Sequence, residues 1–347
     1  MKLNPSNLFS ILKVNSAPTP WHHMWLVGLA TFIPILMGLA TNHLEISVLG
    51  SVVGFLVALN DHFGKWGHRL WVMSLTYLLI LFGFFLGTKV GEGPLFWLTL
   101  GGSVYWMGVL SGQGAELEKG FTFGLVGFLV AQASPELPSE VLPALFLFVV
   151  SGYLTLLLAI PLLALLGKLD PKPYRSLRES LSHLLSKRIQ NHIHAASFTV
   201  AVLFAARLVL DLHLERGYWV TITVLLVMRP DRTQSIQIIL QRLIGTLLGV
   251  LAAELILLSS PPIAFLIAVT ILCASAVPWA SLKNYAGVAF FATVMVVLLL
   301  ELNQIKQGFD THLPWVRLLA TAMGCAISLI GTLISKILDT LILKKPI

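Results

Sequence analysis

Apolar runs broken by short polar connectors recur along the whole chain. They cover His23 to Ala40, Ile46 to Leu59, Leu70 to Gly87, Leu95 to Leu110, Gly120 to Ala133 and Val141 to Leu166, then Ala196 to Leu210, Tyr218 to Met228, Leu243 to Leu258, Ile263 to Trp279, Ala286 to Leu300 and Trp315 to Leu333. The runs are apolar on every side and lack the period-2 alternation of a membrane β-barrel. Each is therefore predicted to be a helix that satisfies its own backbone hydrogen bonds in hydrocarbon. The expected class is all-α, a polytopic membrane protein of about twelve transmembrane helices.

A repeat organises these runs. "HLEISVLGSVVGFLVALND", His43 to Asp61, and "HLERGYWVTITVLLVMRPD", His213 to Asp231, align without gaps at an offset of 170, with six identities in nineteen positions. Six spans per half is an even number, so two six-helix repeats share one orientation about an axis along the membrane normal. The expected organisation is residues 1–167 as the first repeat, 168–195 as a linker and 196–347 as the second repeat. In the linker, Pro171 and Pro173 stop any helix, after which Leu177, Leu181, Leu184, Leu185 and Ile189 recur opposite Arg178, Glu179, Lys187 and Arg188. That pattern is a basic amphipathic helix on a cytoplasmic lipid surface. The second and eighth runs correspond in the repeat and are both short. Paired short segments point to a central site in a repeat-built transporter, although tilted helices ending in protein-lined surroundings fit as well.

Of 347 residues, 56% are hydrophobic and 11% charged, against about 25% charged in a soluble domain. The net charge of +7 gathers in connectors that alternate crossing puts on one side, which the positive-inside rule makes the cytoplasm, with both termini there. No basic stripe interleaved with aromatics points to nucleic acid. Cys273 and Cys325 lie inside apolar runs and read as small buried hydrophobes, with no disulfide framework and no metal set. The first apolar run reads as an uncleaved anchor.

Candidate chemistry sits in a few polar residues. "RLIGTLLG" from Arg242 and "RLLATAMG" from Arg317 share R-L-x-x-T-x-x-G, which puts Arg242, Thr246 and Gly249, and likewise Arg317, Thr321 and Gly324, on one helix face. Small residues there permit close helix approach and the threonines offer hydrogen bonds. Arginines inside apolar spans cost at least ~2.5 kcal/mol each and normally face a wet path or a partner. Arg207, Arg242 and Arg317 are thus candidates for an anion pathway, with pairing to Asp211 the alternative for Arg207 and anchoring at the membrane surface the alternative for the others. Glu254 stands within an apolar run, where burial favours a neutral carboxyl, making it a candidate proton carrier. Arg229, Asp231 and Arg232 in "RPDRTQ" read as a capped structural turn. Tyr218 and Trp219 fit an interfacial belt or an aromatic vestibule. No nucleotide loop, zinc-protease helix or nucleophile elbow appears, so neither an enzyme nor a cofactor is expected.

"GYWVTITVLLVMRPDRTQSIQIILQRLIGTLLGVL" resembles the signature stretch of the fusaric acid resistance protein-like family: Tyr218 and Trp219, an apolar Thr221 to Val227 run, a polar turn from Arg229 to Thr233, then Arg242, Gly245, Thr246 and Gly249. "NYAGVAFFATVMVVLLL" and "RLLATAMGCAISL" resemble its later segments, with Tyr285, Thr293 and Arg317 in matching places. The resemblance runs over about Ala195 to Ser335. It implies a bacterial inner-membrane protein related to aromatic carboxylic acid exporters and, more distantly, to plant malate-type anion channels. Many members carry a large cytoplasmic domain between the halves, whereas here only Lys168 to His194 remains. The expectation is an exporter of organic anions such as aromatic carboxylates, with the lipid bilayer and a small organic anion as partners. An uncoupled anion channel and a non-transporting membrane scaffold are the alternatives, and a homo-oligomer is left open.

Overall fold

The computed structural model describes residues 15–61, 64–91, 93–111, 115–133, 141–165, 189–304 and 312–343. Among these residues every regular element is a helix: α1 (Trp21–Thr41), α2 (Leu44–Leu59), α3 (Trp66–Lys89), α4 (Pro94–Leu110), α5 (Ala115–Gln132), α6 (Val141–Leu165), α7 (Ile189–Asp211), α8 (Tyr218–Val227), α9 (Arg232–Leu258), α10 (Ile263–Lys283), α11 (Tyr285–Gln304) and α12 (Leu313–Leu343). Eight of them are long and apolar enough to cross a membrane, while α2, α4 and α8 are shorter. The fourth exception, α5, has 18 residues and carries Glu116, Glu118 and Lys119 in its opening turn and a half. Leu98, Leu142, Phe82, Leu255 and Leu272 lie exposed on the helix surfaces, as expected where the solvent is hydrocarbon. The amphipathic linker predicted over 168–195 falls largely outside the described residues; its last part forms the start of α7.

The chain forms two compact units, each assembled from both halves of the sequence. The first takes residues Met1–Tyr77, Leu137–Pro171 and Leu240–Leu318, the second Leu78–Glu136, Lys172–Ile239 and Leu319–Ile347. In the first unit α2 is the central helix, packed against α1, α6 and α11, with α10 against α1 and α11. Close approach is bought by small residues: the Gly54 backbone lies on the Ala30 carbonyl, and a Cβ at Gly50 would meet Ser151 Oγ at 2.5 Å. In the second unit α8 is central, packed against α5 and α7, with α4 against α5 and α7. α12 joins it where a Cβ at Gly324 would stand 2.6 Å from Thr223 Cβ and 2.7 Å from the Val220 carbonyl.

A shift of 170 residues turns α1, α2 and α6 into α7, α8 and α12, and roughly the same shift turns α4 and α5 into α10 and α11. The neighbours of α2 and α8 then correspond one for one. This also explains why α8 is short. Trp219 to Leu225 of α8 are all buried, so its ten residues, ~15 Å of rise, end in protein rather than lipid. A helix apolar all round is stable when it is sheathed on all sides.

Candidate functional site

The turn into α9 is tied down locally. Ser235 Oγ accepts from the Arg229 N–H (2.7 Å) and donates to the Arg229 carbonyl (3.0 Å), while Asp231 Oδ1 accepts from the Gln234 N–H at 3.1 Å. This satisfies amides that a helix start otherwise leaves orphaned. Arg229 Nη1 donates to Glu118 Oε1 at 2.5 Å, and Ser111 Oγ reaches the same oxygen at 3.3 Å. Arg229 and Asp231 therefore fix the turn, and Arg232 opens the helix. Neighbouring Trp219 is buried and Tyr218 half-buried, their rings edge to face at 5.7 Å, with the Arg216 guanidinium 6.0 Å from the Trp219 ring.

In the first unit the next stretch of α9 packs along α11. Gly245 rests on the Ala286 carbonyl, where a Cβ would come within 2.7 Å of Ala289 Cβ; one at Gly249 would lie 2.9 Å from both the Phe290 carbonyl and Thr293 Cβ. Arg242, Thr246 and Thr293 border this contact and are 4%, 0% and 1% exposed. Arg242 Nη1 donates to the Tyr285 hydroxyl at 3.4 Å. Its Nε, Thr246 Oγ1 and Thr293 Oγ1 are buried with no hydrogen-bond partner. Buried threonines elsewhere behave differently: Thr31, Thr76, Thr155, Thr223, Thr270 and Thr332 each donate to the carbonyl four residues back at 2.7–2.8 Å. Leaving a buried hydroxyl unmatched costs about 1–3 kcal/mol, so two of them beside a buried guanidinium need an explanation. Ser151 and Ser197 are also unmatched, but neither has a buried arginine on its helix.

The second unit supplies an internal control. There Gly83 and Gly87 of α3 rest on the carbonyls of Gly124 and Phe128 of α5. In both seams the glycine and the carbonyl it meets are 41 residues apart: Gly245 to Ala286, Gly249 to Phe290, Gly83 to Gly124, Gly87 to Phe128. Superposing the glycines puts Ile80, Phe84, Phe123 and Ala131 where the first unit has Arg242, Thr246, Tyr285 and Thr293, and all four are buried hydrophobes. Packing two helices in this way thus requires no polar side chain at these four positions.

Glu254 lies on α9 beyond the seam, half-buried, with Oε2 buried and unmatched by a hydrogen bond. Sequence reasoning passed over Glu301, a carboxylate 0% exposed on α11, because it follows the apolar run rather than interrupting it. It also passed over the pair Asp61–Arg69, whose side chains are 1% and 7% exposed and whose Arg69 Nε donates to Asp61 Oδ1 at 2.7 Å. Both residues stand between apolar runs, Ile46 to Leu59 and Leu70 to Gly87, and interrupt neither. Arg207 pairs with Asp211 at 2.7 Å on an exposed face. Of the second motif, Arg317 (6% exposed) falls in the first unit, and Thr321 (0% exposed) with Gly324 in the second. Half-buried Phe290, Phe291 and Trp279 flank the seam, with ring separations of 5.0 Å and 6.4 Å.

Residues 198–331 match the model of the fusaric acid resistance protein-like family, the segment that carried the resemblance in the sequence. The chain is 29% identical over 136 residues to an uncharacterized protein of Haemophilus influenzae, and 27% identical over 137 residues to the inner membrane protein YccS of Escherichia coli. It is 27% identical over 136 residues to the uncharacterized protein ORF2 of Neisseria gonorrhoeae. Each match takes in 39% of this chain, but only 18%, 18% and 32% of those proteins' own lengths. No solved structure matches.

Proposed function

We propose that this chain, which carries a fusaric acid resistance protein-like region over residues 198–331, is an inner-membrane transporter that exports organic anions and binds them at the α9–α11 seam. The observation that carries the reading is the contrast between the two seams. At four matching positions one holds only the buried hydrophobes Ile80, Phe84, Phe123 and Ala131; the other holds Arg242, Tyr285, Thr246 and Thr293 there, with Arg242 Nε, Thr246 Oγ1 and Thr293 Oγ1 buried and without partners. Three donors in a dry site suit an oxyanion, which accepts from a planar guanidinium fork and from hydroxyls at once. Phe290 and Phe291 on the same helix α11 as Thr293, with Trp279 against Phe291, offer aromatic surface in the same unit and support an aromatic carboxylate. The membrane assignment draws on the apolar helices and on the similarity to an inner membrane protein of Escherichia coli.

In this reading all twelve helices cross, in two parallel six-helix repeats, with both termini cytoplasmic. The matching neighbours of α2 and α8 support the repeat. The Asn15 N–H donates to the Lys283 carbonyl at 3.1 Å. Residues 15 and 283 therefore lie on one side, as an even count of ten crossings between them requires. Glu254 is the candidate carrier of coupled protons, and Arg317 and Thr321 are further pathway candidates. Tyr218, Trp219 and Arg207 have a weaker claim, the first two because their rings pack on each other and the third because it is ion-paired to Asp211.

Reconstituted protein tests the reading. Proteoliposomes are expected to move labelled benzoate faster with a pH gradient than without, and Arg242→Gln is expected to remove that flux. Benzoate flux that equals empty liposomes, or that survives Arg242→Gln, refutes it. Voltage-driven current indifferent to the gradient would convert the carrier into a channel.

A further inference from the structure

At the far end of the seam from Glu254, a short stretch of chain ahead of α1 is fastened to the α10–α11 elbow. The Asn15 N–H donates to the carbonyl of Lys283 at 3.1 Å, and Lys283 Nζ donates to the carbonyl of Ala17 at 2.7 Å. The first bond satisfies one of the last-turn carbonyls of α10, which a helix end otherwise leaves open. The second is charge-assisted, from an ammonium that already sits favourably at a helix C-terminus. Pro18 and Pro20 follow directly, lacking amide hydrogens and holding the residues before them extended. The strap therefore cannot wind into a helix, and these two bonds to Lys283 fasten it.

The elbow itself is a single residue. α10 ends at Lys283 and α11 begins at Tyr285. Between them Asn284 is extended, with its N–H on the Ala280 carbonyl at 2.9 Å and its Oδ1 accepting the Ala286 N–H at 2.7 Å. An elbow so short and so bonded passes displacement of Lys283 on to Tyr285, whose hydroxyl takes the Arg242 guanidinium at 3.4 Å. Strap, lysine, elbow, tyrosine and buried arginine form one continuous path within a single compact unit.

From this geometry we infer that Lys283 is a positioning residue that latches the N-terminal strap over the cytoplasmic end of the α9–α11 seam, and that its release opens that end to the Arg242 site. The inference rests on the seam being the anion site. It goes further by assigning the strap and Lys283 a role in controlling access to it.

The test introduces a thiol by Thr246→Cys in a Cys273→Ala, Cys325→Ala background. Its reaction with a membrane-impermeant anionic methanethiosulfonate is followed in inside-out vesicles. Lys283→Met, and separately deletion of residues 2–17, are expected to speed labelling about tenfold, while Lys283→Arg, which keeps a cationic donor, stays within about twofold of the parent. Equal rates in parent, Lys283→Met and the deletion overturn the latch. Benzoate binding is read separately in protein that keeps Thr246: should it be absent there, the anion site is wrong, yet the rate comparison still reads the latch, so the two failures are told apart.

Discussion

Replacing Thr246 by valine separates a hydroxyl kept for a ligand from one kept for the fold. The two side chains have nearly the same shape, so the swap removes a polar group without leaving a cavity. Thr246 Oγ1 is buried and unmatched in the ligand-free protein, and removing such a group recovers a desolvation penalty of about 1–3 kcal/mol. Thr246→Val is therefore expected to raise the stability of the ligand-free protein in detergent. Thr270→Val is the control, because Thr270 is equally buried but donates to the Leu266 carbonyl at 2.7 Å. Losing that bond leaves the carbonyl with its helical partner only, and a fall of about 1 kcal/mol is expected. Binding should respond in the opposite sense. A hydrogen bond to a charged group contributes about 1.5–3 kcal/mol, so benzoate affinity in Thr246→Val falls roughly 10- to 100-fold, whereas Thr270→Val leaves it unchanged. Denaturant unfolding without ligand, together with equilibrium binding of labelled benzoate, measures both quantities. A Thr246→Val protein that loses stability as Thr270→Val does, or that binds benzoate as before, refutes the reasoning.

Other expectations follow from the same contacts. Gly245→Ala drives a methyl into the Ala286 carbonyl and Ala289 Cβ, and overpacking of this kind costs about 1–3 kcal/mol; transport should fall with it. Gly83→Ala in the apolar seam should lower stability comparably while leaving benzoate affinity intact, as binding and unfolding measured side by side will report. Asp61→Asn strands the buried Arg69 guanidinium and should destabilise by about 3–5 kcal/mol. Arg207→Ala, at an exposed i,i+4 pair, should change stability by less than about 1 kcal/mol and leave transport at the parental rate. Glu254→Gln should abolish the stimulation of benzoate flux by a pH gradient while preserving binding; stimulation that persists would move the proton-carrying role elsewhere.

The hydrophobic pattern was enough to read a helical class and every helix among the described residues, because apolar runs bounded by charges and prolines leave little choice of backbone in hydrocarbon. Boundaries shifted where polar residues continue a helix beyond the apolar stretch: α9 starts at Arg232 rather than Leu243, and α12 runs on to Leu343. The glycine spacing in "RLIGTLLG" predicted a close helix contact, and Gly245 and Gly249 make one. What the sequence did not contain was the other side of that contact. Thr293 and Tyr285 stand 47 and 43 positions from Thr246 and Arg242, and helical periodicity carries no information about which neighbour a face will meet. Nor does a threonine's identity tell whether its hydroxyl turns back to its own helix. The partner of Arg229 is Glu118, 111 residues away, so the "RPDRTQ" turn looked self-contained when it is also braced from outside.

The sheathed α8 bears on how the protein is made. Ten residues of apolar helix are too few to leave an insertion channel for lipid unaided, and the wall that encloses them includes α12, which leaves the ribosome well after them. Biogenesis must then hold this hairpin in a half-inserted state until the closing segment arrives, and truncation before Gly324 should strand it for proteolysis rather than yield a smaller working bundle.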